Sequence, residues 1–323
     1  MYFVCIRDIP GKIGNTGSGK HFCRKGVFMS GILGNNGNQP YFEGWYLKHQ
    51  NEERSIAMIP SYHQEEDGSK SASLQIITEE NSFQLCFPEA EFAGGKRHFH
   101  AELGGAEFSE RGCRMQVREK GVWLEGKLNY GPLTPLKSDI MGPFQFLPGM
   151  QCKHRVYSLT HRVDGRLSLN GKEYIFRDGT GYIEGDRGCS FPEAYLWTQY
   201  NDKHVSVMAS AAKIPAGRFS FLGCIGVIWI KGKEYRLGSY LGAKVIYADA
   251  KKLILRQKDT LFTAELQEDK AQALHAPVEG AMKRMIRENL ACRVHYQLIR
   301  KGKILLDFTD ARASFEADGK LFG

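Results

Sequence analysis

"RVYSLTHRVDGRLSLNGKEYIFRDGTGYIEGDR", residues 155–187, alternates apolar and polar side chains and is interrupted by Asp164-Gly165, Asn170-Gly171 and Asp178-Gly179. Asx-Gly pairs suit type I′ hairpin turns, in which both central residues take positive φ. Three of them so close together predict an antiparallel meander. The pattern spreads outward from there. Residues 119–131, 227–242 and 296–317 read as hairpins or strand ladders, and 55–62, 71–78 and 82–87 as single strands. Only "VEGAMKRMIRENL" (278–290) has a helical spacing, with Met282, Met285, Ile286 and Leu290 near i, i+3, i+4 and i+8, while its Gly280 leaves an irregular strand as the alternative. Many short strands with regular turns predict an all-β fold of antiparallel barrels or sandwiches with little helix.

The chain has 323 residues, enough for one large domain or two of ordinary size. "NYGPLTPLKSDIMGPFQFLPG" (129–149) holds four of the eleven prolines and breaks the alternation, so it reads as a linker. The expected division is a flexible leader at 1–26, a β domain at 27–149 that ends in this linker, and a second β domain at 150–323. The leader contains "GNTGSGK", but His21 follows its Lys20 and the spacing is not that of a phosphate loop. Met29 is an alternative start.

Lys and Arg number 44 against 36 Asp and Glu, a net charge of +8. The basic residues are spread thinly and form no phosphate footprint, so nucleic acid is not an expected partner. No apolar run reaches the length of a membrane-spanning helix. The eight cysteines are scattered without a C-x-x-C pair, which fits buried free thiols in a reducing, cytoplasmic setting. His98 and His100 share a strand face, but a lone H-x-H lacks a third ligand, so no metal is expected. His154 and His161 fall on opposite faces of one strand. Tyr62 and His63, in "SYHQEED", stand where a strand meets a loop and could reach a barrel mouth.

Three stretches set polar groups among aromatics at strand spacing. In "PYFEGWYLKH" (40–49), Glu43 shares a face with Tyr41 and Trp45, while Tyr46 and Lys48 share the other. Tyr182, Glu184 and Asp186 share one face of the next. Tyr195, Trp197, Gln199 and Asn201 share one face of the third. An aromatic wall with sparse amides and carboxylates is the composition of a pocket for a small amphipathic ligand. A carboxylate on an apolar face must be paired, exposed or functional.

The first and third stretches resemble motifs of the tocopherol cyclase family. Glu43, Gly44, Trp45, Tyr46 and Lys48 match an F-E-G-W-Y-x-K opening. Gly188, Phe191, Pro192, Trp197, Gln199 and Asn201 match a later E-x-x-W-G-x-x-F-P-x-x-W-x-W-x-Q-x-N segment. Arg187 and Tyr195 stand where that family has Trp. The resemblance spans about residue 38 to the end, including "GAMKRMIRENL" and "ASFEA". It implies a two-domain, lipocalin-like β architecture and closure of a prenylated hydroquinone onto its own side chain, an intramolecular lyase or isomerase reaction without cofactor. Glu43 or Asp186 would be the acid. Trp45, Tyr46, Tyr182, Glu184, Phe191 and Trp197 would line the pocket, and Gln199 and Asn201 would hold the quinol oxygens. A lipid or isoprenoid carrier and a hydratase or isomerase of isoprenoid double bonds are the alternatives, and peripheral membrane contact is compatible with all three.

Overall fold

The computed structural model describes residues 39–94, 99–147, 150–216 and 219–322. The leader, its Gly-rich loop, Cys5, Cys23 and His98 lie outside them. Two antiparallel sheets make up the fold. The first contains β1 (Tyr41–Gln50), β2 (Ser55–Gln64), β3 (Lys70–Thr78), β4 (Ser82–Pro88), β5 (Phe92–Gly94), β6 (His100–Leu103), β7 (Ala106–Ser109), β8 (Gly112–Glu119), β9 (Val122–Tyr130), β10 (Cys152–Leu169) and β11 (Lys172–Gly188). Their spatial order is β4-β3-β2-β1-β11-β10-β9-β8-β7-β6-β5. The second contains β12 (Tyr195–Asn201), β13 (Val205–Ala216), β14 (Phe219–Ile230), β15 (Lys233–Gly238), β16 (Lys244–Ala248), β17 (Lys252–Gln257), β18 (Thr260–Leu266), β19 (Gln272–Val278), β20 (Ala281–Arg300) and β21 (Lys303–Asp318). Their order is β15-β14-β13-β12-β21-β20-β18-β17-β16, with β19 on the other end of the long β20.

The all-β expectation holds, but among the described residues neither ladder closes into a barrel. Each sheet instead curls around its own core. Trp45, Leu47, Ile56, Leu74, Phe108, Leu124, Leu167 and Phe176 meet inside the first. Leu196, Tyr200, Leu253, Phe262, Tyr296 and Phe315 meet inside the second. A third apolar cluster joins the sheets back to back, through Tyr46, Val156, Leu159 and Tyr182 on one side and Trp197, Met208, Ile286 and Leu290 on the other. The chain changes sheet between Gly188 and Tyr195, while the Pro/Gly segment 129–149 connects two neighbouring strands of the first sheet. No helix among the described residues is long and apolar enough to cross a membrane.

The opening stretch is simpler than its turn signals imply. Only Asn170-Gly171 is a hairpin turn, joining β10 to β11. Asp164-Gly165 and Asp178-Gly179 lie inside these two strands, next to each other. The ladder shifts register between Val163 and Gly165, Asp178 takes φ 57°, and the Asp178 amide donates to Asp164 Oδ1 at 2.9 Å. Asx-Gly supplies positive φ for a bulge as readily as for a turn. The helical expectation for 278–290 fails for a related reason. Glu279 (φ 48°) and Gly280 (φ 77°) turn β19 into β20, and the segment is strand from Ala281. Ile286 and Leu290, four apart, satisfy a strand face as well as a helix face.

Gly280 also docks this turn on the first sheet, because a Cβ there would sit 1.8 Å from the Gln64 carbonyl oxygen. We expect Gly280→Ala to lower unfolding stability by at least about 1 kcal/mol, the left-handed backbone cost alone, as read by urea denaturation. A second expectation concerns acid. Burial pushes His49 and His161 down to about 3 from 6.5, so both are neutral in the fold and charge on unfolding. Their stabilising effect is complete above pH 6.5 and is lost as pH falls toward 3. Replacing His161 by Gln should reduce the slope of stability against pH, between roughly pH 4 and 6, by about 1.4 kcal/mol per pH unit.

Candidate functional site

Strand pairing brings the polar groups together. β11 lies between β1 and β10, with Tyr46 opposite Glu184 and His154 opposite Asp186. β20 and β21 face this wall from the second sheet, where Glu288 is the cross-strand neighbour of Glu316. Between the sheets lies a cavity of about 560 Å³, the size of a small-molecule site. Its walls are largely apolar, with Phe42, Tyr46, Phe144, Phe191, Trp197 and Ile286 prominent. The rings interlock: Tyr46 meets Trp197 edge-on at 5.3 Å, and Phe191 meets Phe42 at 5.4 Å and Tyr195 at 5.7 Å.

Two groups of acids interrupt this apolar wall. In the first, His154 Nδ1 is 3.0 Å from Asp186 Oδ1, and its Nε2 is 3.2 Å from Glu184 Oε2. Burial favours the neutral ring, but Asp186 and Glu184 together outweigh it and raise the His154 pKa well above its usual value. Glu184 also receives hydrogen bonds from the Tyr182 hydroxyl (2.5 Å) and Trp197 Nε1 (3.3 Å). Cys152 Sγ donates to Asp186 at 3.3 Å. The donor atoms of His154, Glu184 and Asp186 lie within 4.8 Å of one another, a spacing that suits a metal ion. Nδ1 hydrogen-bonds Asp186, whereas Nε2, though 3.2 Å from Glu184 Oε2, is not aligned for a hydrogen bond.

The second group is Glu288 and Glu316, on strands whose cavity-facing side is buried. Desolvation pushes Glu288 up to about 7, helped by the charge of Glu184 and opposed by Tyr46 and Lys48. Glu316 receives the Tyr195 hydroxyl and is raised well above the carboxylate range by burial and by Glu288. One carboxyl oxygen of Glu288 has no hydrogen-bond partner among the described residues. The site thus holds a buried carboxyl group whose pKa is pushed up to about 7, beside Tyr46, whose ring in turn meets Trp197.

The expected site residues divide between this cavity and other places. Asp186, Glu184, Trp45, Tyr46, Phe191 and Trp197 line it. Tyr182 lies behind Glu184 and holds it. Glu43 is outside the lining, on the face of β1 that carries Tyr41 and Trp45; it accepts the Tyr41 hydroxyl at 2.6 Å and stands opposite Arg187. Burial raises its pKa, against the Tyr41 bond and the Arg187 charge. Gln199 and Asn201 are also outside the lining. Gln199 Nε2 donates to Asn201 Oδ1 and Asn201 Nδ2 to the Gly181 carbonyl, so both amides serve the junction between the sheets. Of the histidines singled out in the sequence, His63 and His154 line the cavity, whereas Tyr62 and His161 do not; Glu288 and Glu316 are cavity residues that the sequence reading did not name. For Glu288 a signal exists in Ile286-x-Glu288-x-Leu290, a carboxylate in line with apolar residues at strand spacing, which the helical reading of that segment concealed.

No family model matches the sequence and no curated protein matches it, so the motif resemblance stands on its quoted residues alone. Among solved structures, a Nitrosomonas europaea protein designated AttH (NE1406) superposes with a TM-score of 0.51 at 13% identity, over 91% of this chain and 97% of that one. Kievitone hydratase from Nectria haematococca gives a TM-score of 0.49 at 10% identity, over 87% of this chain and 89% of that one. The first likeness runs through nearly the whole of both chains: the two-sheet fold described here is shared with the Nitrosomonas protein.

Proposed function

We propose that the protein is an acid catalyst that closes a prenylated hydroquinone, or a related isoprenoid-bearing phenol, into a ring. The observation that supports this most directly is Glu288, a buried carboxyl group with one oxygen lacking a partner among the described residues, beside Tyr46 in a largely apolar cavity that Trp197 also lines. The Glu288 proton adds to the less substituted carbon of a trisubstituted double bond. The adjacent carbon becomes a tertiary cation, which the faces of Tyr46 and Trp197 stabilise by up to about 2 kcal/mol each once water is excluded. The phenol oxygen attacks that carbon, the C–O bond forms, and the phenolic proton leaves to the Glu184–His154–Asp186 group. Asp186 is partly exposed and passes the proton onward, so that a proton from solvent restores Glu288. No redox change occurs, and reactant and product have the same mass.

A carboxylic acid is weak for protonating an alkene, and burial weakens it further. Orientation supplies the difference: holding the alkene over the acid and the phenol oxygen near the forming cation is worth several kcal/mol. The cross-strand neighbours Glu288 and Glu316 repel as anions, which favours the acid form of one of them and keeps a proton available in the cavity.

The test is incubation with a prenylated hydroquinone and chromatographic detection of the equal-mass chromanol. Glu288→Gln keeps the shape and removes the proton, and should reduce turnover by about 100-fold or more. Turnover by the unaltered protein should decline above about pH 7 as Glu288 ionises. A Glu288→Gln protein that cyclises normally would overturn the assignment. Tight binding of the quinol without turnover by the unaltered protein would make it a carrier. Glu43→Gln, outside the cavity lining, should leave cyclisation unchanged.

A further inference from the structure

The cavity wall carries further polar groups that proton transfer does not use, among them His63, Gln75, Ser210 and His275. His63 lines the cavity and is 3% exposed. Its Nε2 is 3.0 Å from Ser73 Oγ, which lies 3.1 Å from Ser61 Oγ. Its Nδ1 is buried and has no hydrogen-bond partner among the described residues. A buried imidazole nitrogen without a partner is costly, and native structures pair nearly all such groups. The neighbouring Gln75 shows the contrast: it bonds the His275 carbonyl and amide at 3.0 and 2.8 Å and is satisfied within the protein.

Strand neighbours of His63 line the cavity with it. His63 pairs with Phe42, and Ser61 with Gly44. Gly44 and Ser61 pack closely, since a Cβ at Gly44 would press on Ser61 Cβ at 3.1 Å, and both residues line the cavity beside His63. Tyr46, which contacts the acid group, is four residues farther along β1, roughly 13 Å of extended chain. The cavity therefore has a hydrogen-bonding end and a proton-donating end.

The charge of the wall restricts what can bind. Glu184, Asp186, Glu288 and Glu316 line it, and among the described residues no Lys or Arg does. The imidazolium of His154 is engaged between two carboxylates. Burial holds His63 down to about 4, so it is a neutral donor and acceptor rather than a cation. Such a wall has nothing to pair with a diphosphate or a fatty-acid carboxylate and opposes both.

We propose that His63, backed by Ser73 and Ser61, is the subsite for a hydroxyl or carbonyl oxygen of a neutral, otherwise apolar ligand, and that the cavity rejects anionic lipids. This rests on the cavity being a ligand site, as in the proposed function, but not on the proton transfer. Three probes of one carbon skeleton test it: farnesol, the hydrocarbon farnesene and farnesyl diphosphate. Binding is read from the change in tryptophan fluorescence, to which Trp197 in the cavity wall contributes. Farnesol should bind most tightly and the diphosphate least. His63→Leu should weaken farnesol about tenfold, the loss of one hydrogen bond, and leave farnesene unchanged, which also reports an intact cavity. His63→Gln should recover part of the preference. An unchanged ratio of farnesol to farnesene in His63→Leu, tighter binding of the diphosphate than of farnesol, or failure of both neutral probes to bind would each overturn the proposal. Preference for farnesol in a protein that does not cyclise a quinol would remove the catalytic reading and leave this one standing.

Discussion

The structure depends on a junction in which strands are buried on both faces. In β1, Trp45 and Leu47 enter the core of the first sheet while Tyr46, Lys48 and Gln50 face the second sheet. In β12, Leu196 and Tyr200 enter the second core while Trp197 faces back. Such strands can carry polar groups only where a partner waits across the junction. Lys48, fully buried, donates to the Arg312 carbonyl at 2.7 Å and to Ser314 Oγ at 2.8 Å. Gln50 donates to the Asn201 carbonyl at 2.6 Å, and Ser206 to the Leu159 carbonyl at 2.8 Å. These bonds fix how the two sheets meet, and the cavity is the part of the same junction where facing side chains do not fill the space.

The chemistry of the cavity follows from that position. Burial between two sheets raises the cost of charge, so carboxyl groups hold protons and histidines lose them unless a neighbour intervenes. Burial moves Glu288 and Glu316 up, with the charge of Glu184 adding to the first and that of Glu288 to the second. His63 has only hydroxyl groups and moves down. His154 has two carboxylates and moves up despite its burial. Lys48 acts over the junction as well: its charge restrains the rise of Glu288, while burial lowers Lys48 itself to about 8. One environment thus produces an acid, a neutral hydrogen-bonding ring and an imidazolium within a single apolar pocket.

Strand content, face parity and the aromatic walls were legible in the sequence because a two-residue period survives in every long strand. Tyr182 with Glu184 and Asp186, and Tyr195 with Trp197, share faces as their spacing requires. Turn chemistry was less reliable. Asp164-Gly165 and Asp178-Gly179 form paired bulges within long strands, since positive φ serves a bulge or a turn equally. The spacing of Ile286 and Leu290 fits either kind of element, and the strand won because β18, β19 and β21 stand ready to pair with it.

What the sequence determined by itself is that alternating strands carry acids and amides among aromatics, and therefore that some of those groups must be buried together. Which of them meet was decided only by the tertiary structure. Glu43 and Trp45 share a face, yet that face belongs to the first sheet's own core and its entrance. Gln199 and Asn201 continue the face of Trp197 but pass beyond the cavity into the junction. Glu288 and Glu316, far along the chain, arrive opposite Tyr46 and Glu184 because two curled sheets pack back to back. Period-two spacing states which side chains point the same way; only the packing of one sheet on another states what they point at.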